Sequence, residues 1–161
     1  MLRDADLAHL RRAIELAGLA RKNGNHPFGA LLVGPAGDVL AEAQNTVVTE
    51  RDCTGHAELN LVRLASSRYS PDVLAKSTLF TSAEPCAMCA GATFWGGIGR
   101  VVYALSEEDL YALTGRSIHE LPLKIPCREV FSRSGRAVQV EGPALEEEAK
   151  RPHIGFWESL P

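Results

Sequence analysis

Two short motifs, each at the predicted start of a helix, constrain the fold and chemistry of this 161-residue chain more than any other feature. The first is His56-Ala-Glu58 and the second is Pro85-Cys86-Ala-Met-Cys89. Because Cys86 and Cys89 are three positions apart, one helical turn can direct both sulfurs toward the same point. Two cysteines and one histidine are a set that Zn²⁺ favours, and three protein ligands leave a fourth position for water. The motifs therefore predict a zinc site that joins two helix N-termini.

Glu58 follows His56 by two positions, which predicts a place beside the metal rather than among its ligands. Zinc lowers the pKa of bound water from about 16 to about 7. A neighbouring carboxylate could take that proton and later deliver it to a leaving group. An open site with such a carboxylate is typical of catalytic zinc. A redox pair or half of a structural zinc site is the alternative that Cys86 and Cys89 alone leave open.

The spacing of apolar and turn residues predicts a layered α/β domain. Apolar residues at steps of three and four predict a first helix that ends near Asn23. The chain then alternates predicted strands and helices: strands over 28–33, 39–43, 78–82, 100–104 and 137–140, and helices over 56–66, 86–95, 107–113 and 143–157. Polar or proline-rich loops are predicted over 45–55 and 121–126. This order favours three layers, α/β/α, with an antiparallel hairpin first and parallel strand-helix-strand units later.

Length, charge and cysteine content exclude several classes of protein. The length fits a single domain over 1–161, with 143–161 as a closing tail. Lys and Arg total 17 against 20 Asp and Glu, a net charge of −3, so a nucleic-acid partner is not expected. No apolar run approaches the ~20 residues that span a bilayer, and we recognise no signal peptide. We therefore expect no membrane partner, a cytoplasmic location, and thiols that are free or bound to metal.

A His-x-Glu motif followed by Pro-Cys-x-x-Cys resembles the signature of zinc nucleobase deaminases. From about residue 5 to 113 the chain resembles the cytidine/deoxycytidylate deaminase superfamily, and within it bacterial guanine deaminases and related deaminases of small bases. The stretches that carry the resemblance are 27–30, 44–47, 56–58, 81–89 and 91–95. The resemblance implies a cytidine-deaminase-like fold with a central five-stranded mixed sheet, and a homodimer.

The resemblance also implies roles for individual residues. His56, Cys86 and Cys89 match the zinc ligands of the family, and Glu58 matches its proton shuttle. Asn45 matches the asparagine that hydrogen-bonds the substrate base. An amide offers both a donor and an acceptor to the edge of a planar heterocycle, which agrees with that role. The alternative for Asn45 is that it only caps a turn.

Aromatic residues are the remaining candidates for the substrate pocket. Phe28 and Trp95 match aromatic pocket positions of the family, although both could be core residues. Ala57, between the metal ligand and the shuttle, is assigned to the pocket as well. Guanine deaminases that resemble this chain close the pocket with a C-terminal segment carrying an acidic residue and a tyrosine, and we can match neither of these positions after 113. His153 and Trp157 are the candidates for a different lid, unless the tail aromatics only dock the last helix.

Three functions follow from this pattern. The preferred one is a zinc-dependent hydrolytic deaminase that converts the exocyclic amino group of a small base or nucleoside to a carbonyl and releases ammonia. Guanine or a related aminopurine or pterin is preferred, with pyrimidines open. The second is a tRNA-specific adenosine deaminase, which the net charge and the acidic stretch 104–109 disfavour, because an anticodon loop needs basic contacts. The third is a non-enzymatic binding subunit with structural zinc, which Glu58 disfavours.

Overall fold

The fold alternates helices and strands along the whole described chain. The computed structural model describes residues 2–114 and 123–159, without the side chain of Ser159. In chain order the elements are α1 Asp4–Lys22, β1 Gly29–Val33, β2 Val39–Gln44, α2 Val47–Glu50, α3 Ala57–Arg68, α4 Pro71–Ala75, β3 Thr78–Ala83, α5 Ala87–Trp95, β4 Arg100–Leu105, α6 Glu107–Thr114, α7 Cys127–Ser132, β5 Gln139–Glu141 and α8 Glu146–Lys150, followed by 3₁₀ turns at Arg151–His153 and Trp157–Ser159.

The five strands form one mixed sheet in the order β2-β1-β3-β4-β5. Strand β1 is antiparallel to both β2 and β3, whereas β3, β4 and β5 run parallel. The predicted five-stranded mixed sheet is confirmed. The parallel arrangement places the carboxyl ends of β3 and β4 at the same edge, where the second motif begins.

Both faces of the sheet are covered, which confirms the predicted three layers. Leu31 and Phe80 are buried against α1 and α8, whereas their neighbours Leu32 and Leu79 are buried against α3, α5 and α7. The alternation follows from the two-residue period of side chains along a strand. It explains why the central strands are continuous apolar runs. No helix in the described part of the chain is long and apolar enough to cross a membrane.

Helix α1 passes very close to the start of β1. A Cβ atom on Gly29 would lie 2.6 Å from the backbone oxygen of Ala13, which no side chain tolerates. Glycine at this position therefore lets helix and strand approach each other. The contact fixes where the chain enters the sheet, and with it the position of Phe28.

The structure corrects two predicted segments and adds two helices. The predicted loop 45–55 contains the one-turn helix α2. The predicted closing helix 143–157 is instead α8 followed by 3₁₀ turns, because Pro152 lacks an amide hydrogen and Gly155 adopts a φ of 67°. Short helices α4 and α7 were not predicted. The predicted loop 121–126 lies partly outside the described residues.

A cluster of buried and half-buried charged side chains links α1 to strands β4 and β5. The Asp6 carboxylate, with a side chain only 2% exposed, accepts hydrogen bonds from Arg3 at 3.1 Å and from Arg100 at 2.9 Å. Arg100 also contacts Glu141 of β5 at 2.7 Å. Burial raises the pKa of Asp6, but the hydrogen bonds from the two arginines outweigh it and hold that pKa well below its ordinary value.

We expect Asp6→Asn to lower the free energy of unfolding at pH 7 by about 2–4 kcal/mol, because it leaves Arg100 without its buried carboxylate. A depressed carboxylate pKa stabilises the fold above the unfolded pKa of about 4, and this contribution is lost as the pH falls. In urea denaturation, the free energies of unfolding of the wild type and of Asp6→Asn should therefore differ less at pH 3 than at pH 7. Glu15→Gln removes an exposed pair with Arg12 and serves as the control, with an expected change within about 0.5 kcal/mol. An equal loss at both pH values would contradict this account.

Candidate active site

His56, Cys86 and Cys89 converge where two helices begin. His56 is the residue before α3 and Cys86 is the residue before α5, both in extended backbone conformations, and Cys89 lies in the first turn of α5. The His56 Nδ1 atom is 3.6 Å from Cys86 Sγ and 3.5 Å from Cys89 Sγ. All three ligand atoms lie within 4.8 Å of one another. The two motifs that are 30 residues apart in sequence thus form one cluster.

The spacing of these atoms fits zinc. A tetrahedral ion with ordinary Zn–S and Zn–N bonds separates a nitrogen ligand from a sulfur ligand by about 3.6 Å. The observed separations of 3.5 and 3.6 Å match that value without any shift of the backbone. His56, Cys86 and Cys89 form the one such group of metal-ligating side chains in the described residues. The exposed Cys53 and the buried Cys127, at the start of α7, are not part of this group.

The two thiols of the cluster differ in acidity. Hydrogen bonds from Cys89 and from His56 lower the pKa of Cys86 to about 4, although burial opposes this. The neighbouring Cys86 sulfur and burial raise the pKa of Cys89. One thiol therefore ionises readily, and the second requires a cation to stabilise its thiolate. A divalent metal supplies that charge, which couples metal binding to proton release.

Glu58 is buried beside the cluster, with 5% of its surface exposed. Its Oε1 atom is 3.0 Å from the Thr81 hydroxyl, which is also 3.0 Å from the backbone oxygen of Ala83. Burial and the charge of Cys86 raise the pKa of the Glu58 carboxyl. A raised pKa makes the protonated form easier to reach, which suits a carboxyl that exchanges protons with a reactant.

Asn45 and Phe28 are held together at the edge of the sheet near Glu58. The backbone N–H of Asn45 donates to the Phe28 oxygen at 3.1 Å, and its side-chain Oδ1 accepts from the N–H of Val47 at 3.1 Å. The buried Asn45 thus does cap a turn. Phe28 directly precedes β1, which is antiparallel to β3, and Ala30 of β1 pairs with Thr81 of β3. Phe28 therefore lies at the edge of the sheet where β3 ends, and its ring packs against the buried clusters on both faces.

Two other predicted pocket residues differ in placement. Ala57 is the first residue of α3 and is completely buried. Trp95 ends α5, is 84% exposed, and has its ring 5.2 Å from that of Phe94. The nine residues of α5 carry Trp95 about 13 Å along the helix axis from Cys86. The structure thus does not bring Trp95 to the cluster.

The tail residues predicted as a lid do pack on Phe28. The rings of His153 and Trp157 have centroids 5.2 and 6.1 Å from that of Phe28. The Arg21 guanidinium donates to the backbone oxygens of Pro152 and Ile154, both at 2.8 Å, and so fastens this segment to α1. The tail is therefore joined to the same aromatic residue that lies at the edge near Glu58.

Several residues around the candidate site were given no role by sequence reasoning. Thr81 lies within the stretch 81–89 and Arg21 lies in no motif, and only the folded contacts reveal what they bind. Glu107 is buried at the start of α6 and accepts a hydrogen bond from Tyr111 at 3.3 Å. Burial raises the pKa of Glu107, and the charges of Glu84 and Cys86 add to that effect. The acidic start of α6 was visible in the sequence, but its proximity to the second motif was not.

Comparison with known proteins agrees with this geometry. The family model of the cytidine and deoxycytidylate deaminase zinc-binding region matches residues 3–105. A probable cytosine deaminase of Schizosaccharomyces pombe is 43% identical over 157 residues, which are 98% of this chain and 95% of that protein. This similarity includes the tail.

Other relatives match a shorter part of the chain. A guanine deaminase of Bacillus subtilis is 41% identical over 62% of this chain and 64% of its own length. A tRNA-specific adenosine deaminase of Haemophilus influenzae is 36% identical over 66% of this chain and 62% of its own. The solved structure of a guanine deaminase from Nitrosomonas europaea superposes with a TM-score of 0.76 at 24% identity, covering 98% of this chain and 86% of that one. That likeness supports the fold.

We expect the purified protein to bind one zinc ion per chain, and Cys89→Ser to lose it on dialysis, because a tetrahedral site loses one of its three protein ligands. Elemental analysis measures the metal, and a chelator should lower the unfolding temperature of the wild type but not of the variant. Cys53→Ser, which changes an exposed thiol, is the matched control and should keep its zinc. Full zinc content in Cys89→Ser would refute the assignment of ligands.

Proposed function

This chain belongs to the cytidine and deoxycytidylate deaminase family of hydrolytic deaminases, and we propose that it releases ammonia from a free amino-oxo base with the help of zinc held by His56, Cys86 and Cys89. The observation that supports this most is a buried carboxyl, Glu58, beside a group of three ligands with zinc spacing. A closed structural site has no use for such a carboxyl, which weighs against a non-enzymatic binding subunit.

Cytosine is the first base to test and guanine the second. Sequence similarity to the probable cytosine deaminase of Schizosaccharomyces pombe runs through the tail, whereas sequence similarity to the guanine deaminase of Bacillus subtilis covers 62% of the chain. The tail contributes His153 and Trp157, which pack on Phe28 at the predicted pocket. We assign this segment to the cover of the substrate ring, and therefore take a relative whose sequence similarity includes it as the better guide to the substrate.

In the proposed mechanism Glu58 carries protons between water and base. Zinc, when bound, supplies a Lewis acid that makes water nucleophilic near neutral pH. Glu58 accepts a proton from that water at a carboxylate oxygen and delivers it to the ring nitrogen beside the amino-bearing carbon. It then accepts the proton of the hydroxyl now on that carbon and delivers it to the leaving amine. The amine departs as ammonia and a carbonyl oxygen from water remains on the ring. One water is consumed for each ammonia released.

The residues around Glu58 suit both of its protonation states. The Thr81 hydroxyl can donate to an ionised Glu58, or accept from a protonated Glu58 while donating to the Ala83 oxygen. Glu58 is therefore hydrogen-bonded before and after it takes up a proton. We assign Asn45 to the polar edge of the base and Phe28 to its face, since an amide and an aromatic ring recognise those two features.

The proposal extends to assembly and location. An 84% exposed Trp95 and a 36% exposed Met88 lie on α5, and such apolar side chains suit a contact with a second copy of the chain. We therefore propose a homodimer. We also propose a cytoplasmic location, where two cysteine ligands stay reduced.

We expect Glu58→Gln to lower kcat for ammonia release about 10²–10⁴-fold, because the amide cannot accept or deliver the proton. The measurement is ammonia release from cytosine, guanine and a panel of related bases and nucleosides, with zinc content checked in both proteins. Glu15→Gln, an exposed carboxylate on α1, is the control and should keep wild-type activity. Equal activity of wild type and Glu58→Gln on every compound would overturn the mechanism.

The same material separates base deamination from tRNA editing. An enzyme that holds an anticodon loop binds it through phosphate contacts that weaken steeply with salt. This chain has a net charge of −3, and α6 begins with three acidic residues. We expect no salt-sensitive binding of tRNA in a filter assay. Tight binding at low salt that is lost at moderate salt would favour the tRNA deaminase instead.

A further inference from the structure

His153 is buried in an aromatic cluster at the tail, and the direction of its hydrogen bonding is fixed. The side chain is 2% exposed. Its ring stacks on that of Trp157 at 5.9 Å with an interplanar angle of 13°, and meets the ring of Phe28 edge-on at 5.2 Å. The Trp157 Nε1 atom lies 3.2 Å from Nδ1 of His153. One ring nitrogen thus has a partner within its own segment.

This partner determines which tautomer His153 adopts. An indole N–H can only donate, so Nδ1 must be the unprotonated nitrogen that accepts. Burial and the positive charge of Arg21 lower the pKa of His153 to about 4, so the ring is neutral at physiological pH. A neutral imidazole that accepts at Nδ1 carries its hydrogen at Nε2. His153 is therefore a donor at Nε2.

The hydrogen at Nε2 of His153 has no acceptor among the described residues. Among the residues that the structure describes, Nε2 of His153 is the buried side-chain polar atom without a hydrogen-bond partner. A buried donor without an acceptor destabilises the fold, and native proteins seldom tolerate one without a functional reason. The geometry thus offers a fixed donor to an acceptor that the described protein residues do not supply.

The position of His153 relates this donor to the predicted pocket. The backbone oxygen of Phe28, against whose ring His153 packs, accepts a hydrogen bond from Asn45. Phe28 precedes β1 at the edge of the sheet where β3, with Thr81 and its contact Glu58, ends. The following turn, Trp157–Ser159, lies against α6, the helix that begins at the carboxyl end of β4. The tail therefore crosses the edge of the sheet at which α5 and its cysteines begin.

Building on the proposed deaminase function, we propose that Nε2–H of His153 donates a hydrogen bond to the carbonyl oxygen of the bound base, and so selects amino-oxo rings over diamino rings. In a diamino ring an amino group replaces that oxygen and presents N–H donors. Two donors would then face each other, and neither would be satisfied. Sites built to hydrogen-bond one substrate group reject analogues without it by large factors, up to about 10⁴–10⁵.

The first test compares cytosine with 2,4-diaminopyrimidine, and guanine with 2,6-diaminopurine, by ammonia release from the zinc-loaded protein. For the pair that contains its substrate, we expect the wild type to have a kcat/KM at least about 100-fold higher for the oxo base than for the diamino base. His153→Phe keeps an aromatic ring and removes the donor, so it should reduce this preference at least about tenfold, chiefly through KM for the oxo base. His153→Gln restores an N–H and should recover part of the preference.

A matched variant separates recognition from packing. Phe156→Leu loosens the same cluster, in which Phe156 and Trp157 meet edge-on at 4.9 Å, without changing any hydrogen bond of His153. It should affect oxo and diamino bases equally. If His153→Phe also affects both bases equally, the role of His153 is structural and the inference is overturned.

The second test needs no activity. Nitrogen-15 NMR of the free protein should show His153 with its hydrogen at Nε2, and Trp157→Phe should mix the two tautomers because it removes the donor to Nδ1. A hydrogen at Nδ1 in the wild type would overturn the inference. A wild type that releases no ammonia from any base overturns the proposed function and this inference together, whereas an active wild type with no oxo preference overturns the inference alone.

Discussion

The remaining structure depends on one constraint: the N-termini of α3 and α5 must lie close enough for their side chains to bind the same metal ion. Helices α3 and α5 must begin at the same edge of the sheet for His56 to lie 3.5–3.6 Å from the two cysteine sulfurs. The order of strands achieves this, because Cys86 follows the carboxyl end of β3. The buried layers on both faces of the sheet hold the two helices in that geometry.

The features that the sequence predicted correctly are those whose signals lie close together along the chain. The helix starts at His56 and Cys86, the hairpin and the parallel strands were all readable, because each has a short-range signal in apolar period, turn residues or motif spacing. The metal cluster was also predictable, since few residue sets combine two cysteines, a histidine and a carboxylate at these spacings. The identity of the reaction class followed from the same residues.

The remainder depended on contacts that no local pattern encodes. Trp95 shared a motif position with pocket aromatics, yet the length of α5 carries it to an exposed end. The tail was predicted as one helix from its acidic start, but Pro152 and Gly155 break it into turns. Thr81 gained its role only when the antiparallel register of β1 and β3 placed it beside Glu58. Such placements are decided by tertiary packing rather than by propensity.

Arg21 joins the tail, which we propose as the cover of the pocket, to α1 through the backbone oxygens of Pro152 and Ile154. Helix α1 packs on the face of the sheet opposite α3 and α5. Because Arg21 binds main-chain oxygens, this attachment does not depend on which side chains the tail carries. Evolution could therefore exchange the residues at 153 and 157 while the cover keeps its attachment and the ion-binding helices stay untouched. This separation gives one scaffold a route to new base preferences without rebuilding its reactive centre.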